Sequence, residues 1–158
     1  MIKLLKNPYF IFIIRFILGA VFVLASVSKI ANPNSFAGEI ENYNMLPQLL
    51  INPIAMAIPW IELVVGIFLV AGIRQRSSAA VSAILYIVFI VAVAGALIQG
   101  LDINCGCHTK VLSDEAGIRK FFENIGMLVL SSIVFLYPSR KLSLENIIIR
   151  DAKLEYDE

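Results

Sequence analysis

Long apolar stretches dominate this chain and limit what it can fold into. A helix needs about 20 mostly apolar residues to cross the hydrocarbon core of a bilayer. Four stretches approach that length, at 9–30, 53–72, 79–98 and 118–137. The third contains no charged residue, whereas the fourth begins with a polar turn. This pattern predicts four transmembrane helices.

The composition excludes an ordinary soluble enzyme. Of the 158 residues, 59% are hydrophobic and 16% are charged, and the mean hydropathy is +0.83. A chain this short cannot bury so much apolar surface in a soluble core. The net charge of +1 and the lack of a basic cluster exclude nucleic acid as a partner. We therefore predict an all-α integral membrane bundle, with membrane lipid as a partner.

The distribution of positive charge predicts the orientation of the four helices. Eight basic residues fall on one side of the arrangement: Lys3, Lys6, Arg74, Arg76, Arg140, Lys141, Arg150 and Lys153. Four fall at or near the other side: Lys29, Lys110, Arg119 and Lys120. We therefore expect an integral protein of a bacterial cytoplasmic membrane with both termini in the cytoplasm. Residues 31–52 and 100–117 would then lie on the extracytoplasmic side. Residues 1–138 form the membrane domain and 139–158 a cytoplasmic tail.

The first outer segment has an amphipathic pattern. Phe36, Ile40 and Tyr43 are spaced at i, i+4 and i+7, which places them on one face of a helix. We expect this helix to start just after Pro33 and to stop at Pro47. Such a helix lies on the extracytoplasmic membrane surface. The alternative is a plain connecting loop.

The second outer segment carries both cysteines of the chain. Cys105 and Cys107 are separated only by Gly106, so their Cα atoms are at most about 7 Å apart and a bend at the glycine brings them within disulfide range. So small a ring is strained, and strained exposed disulfides exchange readily. His108 would favour the thiolate of Cys107. We predict that Cys105 and Cys107 are a catalytic redox pair.

Two other interpretations of the cysteines stay open. A permanent structural disulfide would close a very short loop and remove little entropy from the unfolded chain. Thiolates and imidazole also suit zinc or copper, but one histidine and two cysteines do not complete a closed site. We therefore predict no metal ligands.

Two charged residues lie within the apolar stretches. Arg15 lies about 22 Å, and Glu62 about 14 Å, from the expected outer ends of their helices. Intramembrane charges normally turn inward and pair, and the difference in depth permits an ion pair between these two. One interpretation is a proton or quinone site. The alternatives are a structural ion pair, or an Arg15 side chain that extends to the cytoplasmic interface.

The polar turn of the fourth stretch forms a strip near the cysteines. Arg119 and Glu123 are four residues apart, and so are Lys120 and Asn124. On a helix this spacing places each pair on one face. The strip either steers a substrate thiol or is a solvated turn at the level of the lipid headgroups.

An ordered series of short motifs runs from Arg15 to Cys107, within a stretch of similarity that covers about residues 10–137. They are Arg15 with Gly19, Ser28-Lys29-Ile30, Asn32-Pro33, Phe36, Ile40, Asn42-Tyr43, Leu46-Pro47, Pro59-Trp60-Ile61-Glu62-Leu63, Gly66 and Leu101-Asp102-Ile103-Asn104-Cys105-Gly106-Cys107. In this order they resemble the MauE/DoxX family of small redox-associated membrane proteins. The second cysteine is often followed there by an aromatic residue and glycine. Here His108 and Thr109 follow, which keeps a metal role or an altered thiol role open.

The resemblance implies a four-helix membrane protein that supports extracytoplasmic disulfide or sulfur redox chemistry, as in the maturation of methylamine-utilisation proteins. The activity would be that of a thiol–disulfide:quinone oxidoreductase. Cys105 and Cys107 would take electrons from an extracytoplasmic thiol protein or a redox-complex subunit. Quinone, the one cofactor implied, would bind near Arg15 and Glu62. The alternative is a non-catalytic assembly or anchor subunit of a redox complex.

Overall fold

The chain folds into helices, as its composition predicts. A computed structural model describes residues 8–43, 46–99 and 113–138, for 113–117 as backbone only. Within these ranges the helices are α1 (Pro8–Ala31), α2 (Pro33–Asn42), α3 (Gln48–Ala71), α4 (Gln75–Ile98) and α5 (Ser113–Leu136). The predicted redox pair, Cys105 and Cys107, and the predicted tail at 139–158 lie outside the described residues.

Three of the helices are long and apolar enough to cross a membrane, namely α1, α3 and α4. Each has 24 residues and is therefore about 36 Å long, against about 30 Å of bilayer hydrocarbon. Large apolar side chains such as Leu24, Ile84 and Phe122 are more than half exposed, as expected for surfaces that face lipid. Helix α5 is equally long but more polar at its start, and its crossing stays a prediction.

The helices begin earlier than the apolar stretches predict. Helices α3, α4 and α5 start four or five residues before the predicted positions 53, 79 and 118. Polar residues such as Gln48 and Gln75 form their first turns, because a helix continues beyond the part that is apolar enough for hydrocarbon. Hydropathy therefore locates the apolar part of each helix but not the polar first turn with which the helix begins.

Helix α2, at Pro33–Asn42, lies in the segment where an amphipathic helix is predicted, and its position on a membrane surface stays a prediction. Phe36 and Ile40 are buried against Ile51 and Ala55 of α3, so its apolar face packs on protein. The predicted stop at Pro47 is wrong. The helix ends at Asn42, and Pro47 instead caps the start of α3.

Helices α1 and α3 are antiparallel and touch through their backbones. A Cβ atom on Gly19 would lie 2.7 Å from the carbonyl oxygen of Gly66, and one on Gly66 would lie 3.0 Å from that of Gly19. Small residues at such positions let two membrane helices approach closely. This contact fixes the register of the two helices.

Helices α4 and α5 form the second antiparallel pair, joined by buried hydroxyl groups. The Oγ atoms of Ser82 and Ser131 lie 2.5 Å apart, and Ser131 Oγ donates a hydrogen bond to the carbonyl oxygen of Ala79 at 2.8 Å. All three residues are completely buried. The two helix pairs meet at an apolar core that includes Leu18, Phe22, Leu69, Tyr86 and Val134.

Candidate functional site

Glu62 pairs with Lys29 in the interior of the bundle. The ammonium of Lys29, in the last turn of α1, lies 2.7 Å and 3.0 Å from the two carboxylate oxygens of Glu62, in the middle of α3. The Glu62 side chain is 1% exposed and the Lys29 side chain 22% exposed. A carboxylate this deeply buried needs a cation beside it, and Lys29 provides one.

Two aromatic rings hold the same ammonium. Lys29 Nζ lies 4.8 Å from the ring centroid of Phe36, in α2, and 4.6 Å from that of Phe89, in α4. Both distances are within the range of cation–π attraction. Lys29 therefore links four helices at one point, because it belongs to α1, pairs with α3 and contacts aromatic rings of α2 and α4.

This role of Lys29 was not predicted from the sequence. Lys29 was counted among the charges at or near the outer side, and Arg15 was considered as a possible partner of Glu62. The available signal was that Lys29 ends an apolar stretch whose neighbour contains a single acidic residue, Glu62. A long lysine side chain at a helix end can extend back along the helix as well as outward to water.

Arg15 lies at another level of the bundle, and the ion pair with Glu62 that the depth estimate permitted does not form, since Glu62 pairs with Lys29. Arg15 is 1% exposed, and its guanidinium lies against Gly72, which caps α3 with φ of 74°. It also lies over the ring of Phe12, at 5.3 Å. Glu62 precedes Gly72 by ten residues, which is about 15 Å along α3.

The register of α1 and α3 explains the difference. The permitted pair assumed that the outer ends of the two helices lie at one level. The contact of Gly19 with Gly66 instead places the end of α1 opposite the end of the second turn of α3. The first part of α3 therefore extends beyond α1, and Ile51 and Ala55 there pack against α2.

A cleft of about 1010 Å³ opens beside the Lys29–Glu62 ion pair, between the two helix pairs. It lies in the half of the bundle that contains the end of α4 and the start of α5. Most of its walls are aliphatic or aromatic. The charged and amide side chains that line it are Lys29, Glu39, Glu62, Lys120, Glu123 and Asn124.

The polar strip of α5 forms one edge of this cleft. Arg119 Nε and Glu123 Oε1 are 3.3 Å apart, which confirms the predicted i,i+4 pair. Their side chains are 82% and 52% exposed, so the pair contributes little to stability. Lys120 and Asn124 line the cleft with Glu123.

The described ranges contain no cluster of three or more histidine, cysteine, aspartate or glutamate side chains. Cys105, Cys107 and His108 lie outside those ranges. Of the predicted site residues, the structure therefore places Glu62 on the cleft and Arg15 away from it. The cleft combines a hydrogen-bond donor, Lys29, and an acceptor, Glu62, with apolar walls. That combination suits an apolar molecule with a small polar head.

Comparisons of the sequence with a family profile and with individual known proteins all point to the same family. The profile of the family described as "Methylamine utilisation protein MauE" matches residues 7–137. The methylamine utilization protein MauE of Paracoccus denitrificans is 28% identical over 83% of this chain and 71% of its own length. That of Methylophilus methylotrophus is 30% identical over 70% of this chain and 59% of its own length. That of Methylorubrum extorquens is 25% identical over 85% of this chain and 74% of its own length. No solved structure matches.

Proposed function

The chain belongs to the MauE family of methylamine utilisation proteins, and we propose that it serves methylamine utilisation as an integral membrane accessory protein that forms disulfides in an extracytoplasmic partner. The observation that carries the proposal is the Cys105-Gly106-Cys107 motif on the connection between α4 and α5. Two cysteines with this spacing can form an exchangeable disulfide. The names of the relatives support the pathway, and the three apolar helices support the membrane location.

The proposal includes a topology. Helix α5 is the fourth transmembrane helix, and both termini lie in the cytoplasm, with residues 139–158 as a tail. Helix α2 and the connection between α4 and α5 then lie on the extracytoplasmic side, where thiols can be oxidised. The excess of basic residues on the opposite side supports this orientation.

The proposed chemistry is thiol–disulfide exchange. A thiolate of the partner protein attacks one sulfur of the Cys105–Cys107 disulfide, and the other cysteine leaves as a thiolate. A second thiolate of the partner attacks the partner's sulfur in this mixed disulfide and releases the first cysteine. The partner gains a disulfide, and the pair here is reduced by two electrons. A quinone restores the pair by accepting two electrons and two protons, which gives a hydroquinone.

The experiment is thiol trapping in intact cells with a membrane-impermeant alkylating reagent. We expect Cys105 and Cys107 to react from outside only after reduction. Cys105→Ser and Cys107→Ser should each abolish disulfide formation in the partner, measured as the mass shift of its alkylated thiols. Neither variant can hold the Cys105–Cys107 disulfide, so a partner thiolate has no disulfide to attack and no mixed disulfide should accumulate in either. Ser132→Ala, a change at an exposed hydroxyl group of α5, is the control and should behave as wild type.

Retained partner oxidation in both cysteine variants would contradict the redox proposal. The chain would then be a non-catalytic assembly or anchor subunit. Labelling of the cysteines only after the cells are permeabilised would contradict the topology.

A further inference from the structure

The cleft beside Lys29 and Glu62 has the features of a binding site for a neutral lipid-soluble ring with carbonyl groups. We infer that it binds the quinone acceptor, with the Lys29 ammonium donating a hydrogen bond to a ring carbonyl. This inference rests on the proposed function, which requires an acceptor of two electrons. The sequence predicted a quinone site near Arg15 and Glu62. The site inferred here keeps Glu62 but replaces Arg15 with Lys29, Phe36 and Phe89.

Lys29 is the accessible member of the ion pair. Both side chains line the cleft, and that of Lys29 is 22% exposed against 1% for Glu62, so Lys29 is the better placed of the two to contact a ligand. An ammonium has three N–H donors, and the contacts with Glu62 leave donor capacity for a ligand. Glu62, Phe36 and Phe89 fix its position in advance, which lowers the entropic cost of binding.

The charges around the cleft favour a neutral headgroup. Its lining includes two lysines, Lys29 and Lys120, and three glutamates, Glu39, Glu62 and Glu123. An anionic phospholipid headgroup would therefore meet more negative than positive side chains. A quinone carries no charge and needs a donor at its oxygens, whereas its reduced form needs an acceptor. Lys29 supplies the first and Glu62 the second.

The size and the walls of the cleft also fit. A volume of about 1010 Å³ is at the upper end of the usual range for small-molecule sites and accommodates a ring and part of an isoprenoid tail. Ala57, Ile58 and Ala92 are among the apolar residues that line it. Since the cleft lies among apolar helices, a lipid-soluble ligand can enter from the membrane.

A pair of glycines gives a steric test that leaves the ion pair intact. Gly126 lines the cleft and Gly38 does not, and a Cβ atom on either one meets nothing within 4 Å. The probe is radiolabelled ubiquinone with one isoprene unit, added to the full chain in phosphatidylcholine nanodiscs. Empty nanodiscs give the background. We expect saturable binding to wild type, a loss of at least tenfold in affinity for Gly126→Phe, and wild-type affinity for the matched control Gly38→Phe.

A second arm tests the ammonium. Lys29→Met alone leaves Glu62 buried without its cation, so the double variant Lys29→Met/Glu62→Gln keeps the site neutral and is the one compared. We expect its affinity for the probe to fall about tenfold, the effect of losing one hydrogen bond from a charged donor. The matched control is Arg76→Met, which changes an exposed cation at the start of α4, far from the cleft.

Binding to the Cys105→Ser/Cys107→Ser variant separates this inference from the proposed function. We expect that variant to bind the probe like wild type, since the cleft does not require the sulfur atoms. Probe uptake equal to that of empty nanodiscs, or equal affinity of Gly126→Phe and wild type, would overturn the inference and leave thiol exchange intact. Tightly bound phospholipid that quinone does not displace would overturn it as well, by identifying a lipid site.

Discussion

Helix α1 carries one buried and one partly buried cation, and their surroundings are opposite. Arg15 is 1% exposed and lies against Gly72 at the end of α3. Lys29, fourteen residues later, is 22% exposed and borders a cleft. A cation near the C-terminal end of a helix is stabilised by the carbonyl groups there, which gives Arg15 a structural role. The comparison teaches that a charged residue inside a membrane bundle is a candidate ligand-binding residue when it also borders a cleft.

The packing around the two cations differs in the same way. Near Arg15, Gly19, Gly66 and Gly72 let backbone and guanidinium approach closely. Near Lys29, the rings of Phe36 and Phe89 contact the ammonium, and the cleft lies beside them. We call these regions the closed half and the open half of the bundle.

The largest expected effect tests the ion pair of the open half. Glu62→Leu removes the carboxylate and leaves the Lys29 ammonium, which is 22% exposed, without its counterion. Breaking a buried ion pair costs about 3–5 kcal/mol, and because Lys29 keeps partial access to water we expect a loss of about 3 kcal/mol in the free energy of unfolding. The measurement is denaturant unfolding of the full chain in detergent micelles, followed by far-UV circular dichroism.

The control for this prediction is the double variant Lys29→Met/Glu62→Leu. Replacing both partners of a buried pair with apolar residues is often neutral, so most of the stability should return. A double variant as unstable as Glu62→Leu would show that the carboxylate has partners besides Lys29.

The next effect tests the closed half at Gly72. Its φ of 74° is a conformation that side chains other than glycine rarely adopt, and a Cβ atom would lie 2.5 Å from Arg15 Nη1. We expect Gly72→Ala to destabilise the chain by about 2 kcal/mol. Quinone binding should be unaffected once the protein is folded, because Gly72 does not line the cleft.

Gly126→Ala is the matched control for Gly72→Ala. A Cβ atom at Gly126 meets nothing within 4 Å, and alanine favours helix over glycine by about 1 kcal/mol. The control should therefore be at least as stable as wild type. If Gly72→Ala unfolds at the same denaturant concentration as wild type, Arg15 is not fixed against the turn in the way described.

The helical class and the three long apolar helices could be predicted from the sequence, because hydropathy depends on single residues in one stretch. The amphipathic helix α2 was also recoverable, since Phe36 and Ile40 follow a local helical spacing. Its end at Asn42 was not, because Pro47 serves equally well as the stop of one helix or the start of the next.

The partner of Glu62 depends on the register between two helices, which no single stretch encodes. If the outer ends of the two helices lay at the same depth in the membrane, Arg15 would be within reach of Glu62. The contact of Gly19 with Gly66 sets a different register and brings Lys29 to the carboxylate. The cleft is even harder to predict from the sequence than the helix register, because its shape depends on how several helices pack together.

The smallest effect concerns the hydroxyl groups that join α4 to α5 in the closed half. Ser131 is completely buried, donates to the carbonyl oxygen of Ala79 at 2.8 Å and lies beside Ser82 Oγ. Hydrogen bonds between membrane helices are modest, so Ser131→Ala should cost about 0.6–1 kcal/mol in the same unfolding measurement. Ser132→Ala removes the neighbouring exposed hydroxyl group, which bonds only within its own helix, and should have no measurable effect. Equal stability of the two variants would mean that side-chain packing alone holds this pair of helices together. A loss confined to Ser131→Ala, with quinone affinity unchanged, would show that the closed half supports the bundle independently of the open half.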